Sequence, residues 1–380
     1  MSLLGEPSWA MACVAALFVS ALLTHAGIRY GRSRKLIDEP GRRRSHVVPT
    51  PRGGGIGIVV AVLGCAMLPA VLEGFGGERL VAVLITLAIL VVAAVGWIDD
   101  HRGLGRWVRF FAQWIAGFLV LAGYEQWPAW LDIDGYWLQA GIVLLFGILG
   151  VVWSINLHNF MDGIDGLLAA QAVFVFVAGA LLMSAPYPWL ADEECILVVA
   201  AFAVLGFLPF NFPRARIFMG DVGSGTLGLL VAVAVIWLLQ RPDIALGTGL
   251  VLCSGFVTDA TATLVLRVVR GRRWYSPHRE HLYQWLVRSG WSHAQVVTAY
   301  MGWNTCIVVP VVWWMNRDPA AAIDGVGPSA RVFVRDWVSD IAAAVPLVAG
   351  VHALALLVWM LGKRHCLKQA RLRVRGACAG

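Results

Sequence analysis

The chain has 380 residues, of which 59% are hydrophobic and 14% are charged, and its formal net charge is +7. Soluble domains carry roughly 25% charged residues, so this composition excludes a soluble protein and indicates an integral membrane protein in a lipid bilayer. The positive charge requires no nucleic-acid partner, because basic loops beside an anionic leaflet accompany membrane insertion.

Apolar segments long enough to cross a bilayer, about 17–25 residues, recur along the chain. The predicted membrane helices lie at 9–28, 55–73, 80–98, 107–123, 138–157, 167–184, 195–211, 225–239, 244–266, 294–315 and 341–362. They predict an all-α integral membrane protein, a polytopic bundle of about 10–11 transmembrane helices. We expect one polytopic domain over residues 1–380. The first helix is expected to be retained, since no basic segment precedes it as in a signal peptide.

Lysine and arginine are distributed unevenly between alternate loops. Of the 30 in the chain, all but five lie at 29–54, 99–109, 212–224, 267–293 and in the tail from Lys363. The positive-inside rule predicts that these loops are cytoplasmic, with the N-terminus outside and the C-terminus inside. The polar motifs of the chain all fall on this side.

The first two motifs precede the fourth predicted helix. Arg52 begins a glycine run that ends at Gly55, and successive glycine N–H groups can form an anion-binding nest. Asp99 and Asp100 close the third predicted helix. Acidic residues at a helix C-terminus oppose the helix dipole, which favours a functional role over that of a simple interfacial helix end.

The third motif, Asn156-Leu-His-Asn159-Phe-Met-Asp162-Gly-Ile-Asp165-Gly166, places amides and carboxylates at three-residue intervals. Residues three apart lie near one face of a helix, so these side chains are predicted to act together. Hard oxygen donors beside a bilayer suit Mg²⁺ that holds a phosphate. Interhelical hydrogen bonds are the structural alternative.

A fourth motif, Gly220-Asp221-Val-Gly-Ser224, adds another carboxylate between glycines. Asp221 with Asn159 or Asp162 is predicted to bind Mg²⁺, with Mn²⁺ as the alternative cation. A tight turn with a capping aspartate is the structural alternative.

The last polar segment follows the ninth predicted helix. Arg279 and His281, together with Arg52, are predicted to bind phosphate oxygens, although His281 could also be a solvated loop histidine. Asp259 has two equally supported interpretations: a site residue, or an ion-pair partner of Arg267 or Arg270.

In this order the motifs resemble those of the polyprenyl-phosphate N-acetylhexosamine-1-phosphate transferases, over about residues 30–300. The matching segments are Asp38-Glu-Pro-Gly-Arg-Arg-Arg-Ser-His46, Pro49-Thr-Pro-Arg-Gly-Gly-Gly55, Gly96-Trp-Ile-Asp-Asp100, Asn156 to Gly166, and Phe218-Met-Gly-Asp-Val-Gly-Ser224. The resemblance implies a multi-pass enzyme of the bacterial inner membrane with its active site on the cytoplasmic face. It would transfer an N-acetylhexosamine 1-phosphate from a UDP-sugar to undecaprenyl phosphate and release UMP. Residues 301–380, the C-terminal helices and basic tail, lie outside it, and a homodimer is left open.

The resemblance also implies roles for individual residues. Mg²⁺ would bind Asp221, Asn159 and Asp162. The implied catalytic residues are Asp99, Asp100, Asp162 and Asp165, and the implied substrate-binding residues are Arg52, Asn156, Asn159, Arg279 and His281. Whether an aspartate first forms a covalent phosphosugar is left open. Direct attack is favoured, because a phosphate monoester has its second pKa near about 6 and is already ionised at neutral pH.

One departure bears on the donor. Other branches carry three histidines close together, whereas Tyr283 and Gln284 stand at the end of Ser276-Pro-His-Arg-Glu-His-Leu-Tyr-Gln284. This argues against the peptidoglycan branch and favours the branch that starts O-antigen or capsular glycans. Its donors would be UDP-N-acetylglucosamine or the N-acetylfucosamine or N-acetylquinovosamine relatives. An ion-coupled transporter is the alternative class, disfavoured because the acids gather at helix ends and no repeat is seen.

Overall fold

A computed structural model describes residues 7–39, 48–73, 79–123, 136–184, 191–241, 244–273, 278–317 and 337–377. These ranges are almost wholly helical, and the strands found in them are Ile37–Asp38 (β1) and Thr50–Pro51 (β2), paired antiparallel. The contacts divide the chain into two units, one with the described residues up to Ile244 and one with those from Ala245 onward. The predicted all-α polytopic membrane fold is confirmed.

The first unit holds the helices that carry most of the motifs. They are α1 (Pro7–Ser33), α2 (Ile56–Val62), α3 (Leu68–Glu73), α4 (Arg79–Arg102), α5 (Arg106–Ala122), α6 (Tyr136–Met161), α7 (Leu167–Met183), α8 (Ala191–Asn211) and α9 (Asp221–Gln240). A π-helical turn, Leu63–Met67, joins α2 to α3. Helix α9 packs against α4, α6 and α7 and is buried along most of its length.

Small residues let α9 approach its neighbours at backbone distance. A Cβ atom on Gly228 would lie 2.7 Å from the Cα of Ile155 in α6, and one on Gly96 in α4 would lie 2.6 Å from the carbonyl oxygen of Asp221. Glycines at such crossings allow the close helix packing common in membrane proteins. They bring the start of α9 directly beside the end of α4.

The second unit is described by itself. Its helices are α10 (Thr248–Leu252), α11 (Ser254–Val269), α12 (Leu282–Arg288), α13 (His293–Trp303), α14 (Val309–Asn316) and α15 (Trp337–Ala377), with a π-helical segment, Asn304–Val308, between α13 and α14. The prediction of one continuous helix at 244–266 was wrong. The chain breaks at Cys253, and Ser254, which follows the break, accepts a hydrogen bond from the indole Nε1 of Trp303 at 3.0 Å. Such a tertiary contact leaves no mark on the hydropathy pattern.

Seven of the described helices are long and apolar enough to cross a membrane. They are Trp9–Ser33, Arg79–Arg102, Gly141–Met161, Glu193–Asn211, Asp221–Gln240, His293–Asn316 and Ala344–Ala370. Two shorter apolar helices, Ile56–Leu72 and Leu167–Met183, match further predicted spans. Two predicted spans remain. The span at 244–266 is the broken helix, and the span at 107–123 corresponds to α5, which has 17 residues and carries two arginines in its first turn.

Candidate active site

The glycine loop after Arg52 packs against the segment that precedes α9. The N–H of Gly54 donates to the carbonyl of Phe218 at 2.9 Å, and the N–H of Gly55 donates to the carbonyl of Met219 at 2.8 Å. These two N–H groups therefore have partners within the protein. The glycine run was predicted to form an anion-binding nest, and this prediction was wrong for the N–H groups of Gly54 and Gly55.

Asp100 caps helix α9 from a different helix. Its carboxylate accepts hydrogen bonds from the N–H groups of Asp221 at 3.1 Å and Val222 at 3.2 Å. The first N–H groups of a helix have no partner inside it, and they form the positive end of the dipole. Gly220 precedes them with φ of 77°, and a Cβ there would lie 2.5 Å from Asp100 Oδ2, so glycine is required. Arg52 donates to the backbone carbonyl of Asp100.

The structural alternative of a tight turn at Asp221 was wrong in one respect, because Asp221 is the first residue of α9. A carboxylate there interacts favourably with the helix dipole. The side chain of Asp221 is 31% exposed, whereas residue Asp100 is 2% exposed. Asp221 is therefore accessible to a ligand and Asp100 is not.

Arg109 links Asp221 to the other aspartate of the pair. Its Nη1 lies 3.1 Å from Asp99 Oδ2 and 3.4 Å from Asp221 Oδ2. Asp99 also accepts a hydrogen bond from the N–H of Leu104. Sequence reasoning missed Arg109, which it counted only as a topological charge. The available signal was a basic residue in the first turn of the helix after the aspartate pair.

Asn159 contacts the carboxylate oxygen of Asp221 that Arg109 does not. Its Nδ2 donates to Asp221 Oδ1 at 3.1 Å and to the hydroxyl of Ser224 at 3.0 Å. The structure thus brings together Asn159 and Asp221. Their joint role as Mg²⁺ ligands stays a prediction.

Asn156 makes contacts of another kind. It donates to the side-chain oxygen of Gln113 at 2.6 Å and to the backbone carbonyl of Val152 at 2.8 Å. The first is an interhelical hydrogen bond between α5 and α6, the structural alternative for this motif, and the second lies within α6. Substrate binding by Asn156 stays a prediction.

Asp162 and Asp165 lie beyond the end of α6. That helix ends at Met161, so the prediction that all four motif residues share one helix face was wrong for these two. The chain then turns into α7 through Gly166, which has φ of 79° and directly precedes that helix. Asp165 accepts a hydrogen bond from the N–H of Ala215 at 3.1 Å and so orders the loop between α8 and α9.

The surroundings of Asp162 strongly disfavour the ionised form of its carboxyl group. Desolvation, followed by repulsion from Asp221, Asp100 and Asp165, raises the pKa of Asp162 well above its usual range. Desolvation and like charges both disfavour the ionised form. A cation between these groups would remove that penalty.

In the second unit, Asp259 connects several segments. Its carboxylate accepts from the N–H groups of Leu282 at 2.7 Å and Tyr283 at 3.3 Å, from the hydroxyl of Tyr300 at 2.7 Å and from the indole of Trp359 at 3.0 Å. Asp259 thus caps α12 and joins it to α13 and α15. These donors are neutral, and Arg267, one of the two arginines considered as an ion-pair partner of Asp259, pairs instead with Glu280.

The two predicted phosphate-binding residues of the last polar segment precede α12. Arg279 is partly buried, and His281 is 3% exposed, so the alternative that His281 is a solvated loop histidine was wrong. Its ring stacks on that of Tyr283 at 5.8 Å between centroids. Burial is the main cause that lowers the pKa of His281, against the opposing effect of Asp259. Burial therefore favours the neutral imidazole.

The donor set of the first unit fits Mg²⁺. Within the described ranges, no three acidic, histidine or cysteine side chains are grouped to hold a metal alone. Mg²⁺ usually takes only one or two carboxylates and completes its octahedron with waters and substrate phosphates. Asp221 and Asp162, which repel each other, match that requirement.

Comparison with known proteins identifies the class. The model of glycosyl transferase family 4 matches residues 82–239, the stretch from α4 to α9 that holds Asp99, Asp162 and Asp221. The chain belongs to the polyprenyl-phosphate hexosamine-1-phosphate transferase family, as the motifs indicated. It is a membrane transferase that moves a hexosamine phosphate to a polyprenyl phosphate.

The relatives are bacterial. The chain is 33% identical over 318 residues to decaprenyl-phosphate N-acetylglucosaminephosphotransferase of Mycobacterium tuberculosis, covering 75% of this chain and 78% of that protein. It is 31% identical to the protein of the same name from Mycolicibacterium smegmatis, over 85% of this chain and 86% of that one. It is also 31% identical to phospho-N-acetylmuramoyl-pentapeptide-transferase of Lacticaseibacillus paracasei, over 71% of this chain and 85% of that protein.

Proposed function

We propose that the chain transfers N-acetylglucosamine 1-phosphate from UDP-N-acetylglucosamine to undecaprenyl phosphate and releases UMP, with Mg²⁺ as cofactor. The observation that carries the proposal is the convergence of Asp99, Arg109, Asn159 and Asp221 at the start of α9. The choice of sugar is supported by the relatives named for N-acetylglucosamine.

The reaction joins two anions, so the site must offset negative charge. An oxygen of the lipid phosphate attacks the phosphorus that carries the sugar, and the bond from that phosphorus to UMP breaks. The acceptor monoester, with a second pKa near about 6, is largely ionised and needs little help from a base. Arg109 supplies a cation directly at Asp221, where it can hold phosphate oxygens.

Asp221 and Asp162 would hold Mg²⁺ or, as the alternative, Mn²⁺. When bound, the cation would neutralise pyrophosphate charge and stabilise the phosphoryl-transfer transition state. Asp99 orients Arg109 through their ion pair, and the catalytic role of Asp99 follows from that contact. Asp100 would position the start of α9, because its two carboxylate oxygens accept hydrogen bonds from the first N–H groups of that helix.

The membrane orientation and the pathway belong to the same proposal. The excess of Lys and Arg in alternate loops supports a cytoplasmic active site in the inner membrane. The product would be the first lipid-linked sugar of a cell-envelope glycan. The O-antigen or capsule assignment rests on the run that ends in Tyr283 and Gln284 and stays a prediction.

The test is UMP release by the purified protein in detergent with undecaprenyl phosphate and Mg²⁺. The donor panel contains UDP-N-acetylglucosamine, the N-acetylfucosamine and N-acetylquinovosamine analogues, and UDP-N-acetylmuramoyl-pentapeptide. We expect release with the first donor, dependent on the lipid and abolished by EDTA. Release only with the muramoyl-peptide would reassign the donor, and no release with any donor would contradict the proposal.

A further inference from the structure

Helix α15 carries a buried stripe along one face, within the second unit. The stripe packs against α10, α11, α12 and α14. Its residues follow spacings of three, four and seven, which keep side chains on one face of a helix. They are Ala344, Val351, Ala355, Trp359, Lys363 and Cys366.

Lys363 is the one charged residue among these six. It is 8% exposed, and its Nζ donates to the backbone carbonyl of Glu280 at 2.8 Å. The same Nζ lies 4.2 Å from the centre of the Trp359 ring. A buried ammonium group costs free energy, and an apolar side chain would pack at the same place at lower cost. The packing of α15 therefore does not explain a lysine here, whereas the contact with Glu280 does.

Glu280 is also held through its carboxylate. That group pairs with Arg267 of α11, and it accepts a hydrogen bond from Nη1 of Arg272 at 2.9 Å. The side chain and the main chain of Glu280 thus have separate cationic partners. Lys363 is the partner that holds the main chain.

Two neighbours of Lys363 in the stripe contact other parts of the same segment. The indole Nε1 of Trp359 donates to Asp259 Oδ1 at 3.0 Å, and Asp259 is the carboxylate that caps α12. The thiol of Cys366 donates to the hydroxyl of Ser289 at 3.6 Å, directly after α12. Helix α15 therefore holds this segment before, at the start of and after α12.

The residues on either side of Glu280 are the two predicted to bind phosphate oxygens, Arg279 and His281. We propose that Lys363 is a positioning residue for the nucleotide-sugar: it holds the main chain at Glu280 so that Arg279 can bind the phosphates of the donor. The inference rests on the proposed function, since it concerns the donor of that reaction. It gives a role in donor binding to a helix outside residues 82–239, the stretch that the family model matches.

Lys363 acts through the main chain and does not touch the donor in this assignment. An arginine binds phosphate through a planar fork whose direction matters, and a displacement of about 1 Å can cost about a hundredfold in rate. Loss of the ammonium should therefore weaken binding of the nucleotide-sugar. Use of the lipid phosphate should not change.

The experiment compares Lys363→Met, Lys363→Arg and Lys368→Met in the full-length protein. Methionine keeps an apolar stem and removes the ammonium, whereas arginine keeps a cationic donor. Lys368→Met is the matched control, because Lys368 is an exposed lysine of the same helix. The measurements are the Kd for UDP-N-acetylglucosamine by equilibrium dialysis, the KM for undecaprenyl phosphate, hydrogen–deuterium exchange and the melting temperature.

We expect Lys363→Met to raise the Kd for the donor about tenfold, the equivalent of one hydrogen bond to a charged group. The KM for the lipid should stay at the wild-type value. Amide exchange should become faster at 278–288 and stay unchanged at 293–303. The melting temperature should also stay unchanged, because removal of a buried charge offsets the lost hydrogen bond. Lys363→Arg should restore donor binding, and the control should behave like the wild type.

Wild-type donor binding by Lys363→Met would overturn the inference. A lower melting temperature with equal impairment for donor and lipid would also overturn it, since Lys363 would then only stabilise the fold. Failure of Lys363→Arg to restore donor binding would overturn the role of the cationic donor. Because dialysis and exchange need no turnover, weaker donor binding by Lys363→Met in a protein that releases no UMP would refute the proposed transfer and leave the positioning role standing.

Discussion

The carboxylate of Asp100 accepts hydrogen bonds from the first N–H groups of the helix that begins at Asp221, at 3.1 and 3.2 Å. This contact fixes the end of α4 to the start of α9. The two adjacent aspartates therefore have different partners. Asp100 accepts the N–H groups of α9, whereas Asp99 pairs with Arg109, which also contacts the exposed carboxylate of Asp221. The two residues should therefore fail in different ways when they are changed.

Asp100→Asn should lower stability as well as activity. An asparagine offers one acceptor oxygen where two N–H groups need acceptors, and the loss of a helix cap costs about 0.5–2 kcal/mol. Asp99→Asn should keep the melting temperature, because it relieves repulsion with Asp221, but should lose most turnover. Thermal unfolding in detergent and UMP release measure both. Equal melting temperatures for the two variants would contradict the capping role.

Arg109→Gln should change the response to Mg²⁺. Arg109 occupies a position between Asp99 and Asp221 and competes with a divalent cation for their oxygens. Its removal should lower the Mg²⁺ concentration for half-maximal activity several-fold and reduce kcat, since phosphate oxygens lose a donor.

The matched control is Arg106→Gln, which changes an exposed arginine one turn earlier on α5. It should leave both quantities unchanged. A Mg²⁺ titration of UMP release distinguishes the variants, and an unaltered Mg²⁺ requirement in Arg109→Gln would remove Arg109 from the site.

Asp259 should stabilise the second unit through its several donors. Tyr300→Phe removes one hydrogen bond and should cost about 1 kcal/mol. Asp259→Ala leaves the N–H of Leu282, the Trp359 indole and other buried donors without their acceptor, so it should cost about 3 kcal/mol or more. The free energies of unfolding in a denaturant series give the comparison. A smaller loss for Asp259→Ala than for Tyr300→Phe would refute the role of Asp259.

Most of the architecture could be predicted from the sequence, because hydrophobic length and loop charge are properties of local composition. The motifs likewise identified Asp99, Asn159 and Asp221, which the fold brings together. Arg109 was missed because its role depends on a contact across 112 residues of sequence. The roles within the Asp99-Asp100 pair could not be predicted either, since they follow from which carboxylate faces α9.

The break at Cys253 and the capping by Asp259 escaped prediction for a similar reason. The apolar pattern at 244–266 is continuous, and the donors that Asp259 meets come from three other segments. The hydropathy pattern predicts which residues are buried, but it does not predict which buried polar groups form hydrogen bonds with each other. Polar contacts inside a membrane protein therefore have to be seen in the structure.

The histidines before α12 should make the second unit sensitive to acid. Burial is the main cause that lowers the pKa of His278 to about 4, and burial also lowers that of His281. An unfolded histidine titrates near about 6.5, so between about pH 6.5 and 4 the unfolded chain binds more protons. Stability should then be full above about pH 6.5 and fall as the pH drops through this window.

The measurement is the melting temperature from pH 7.5 to pH 4.5. His278→Gln should flatten the acid branch of the curve relative to the wild type. His293→Gln, which changes the first residue of α13, is the matched control and should leave it unchanged. Identical slopes for the wild type and His278→Gln would contradict the assignment.

The most direct test of the account is the product stoichiometry in wild-type protein and in Asp221→Asn. UMP and undecaprenyl-pyrophosphoryl-N-acetylglucosamine are measured in the same reaction with UDP-N-acetylglucosamine, undecaprenyl phosphate and Mg²⁺. The account predicts equal amounts of the two products from the wild type and at least a hundredfold less of both from the folded variant. UMP without the lipid product, or undiminished turnover in Asp221→Asn, would contradict it.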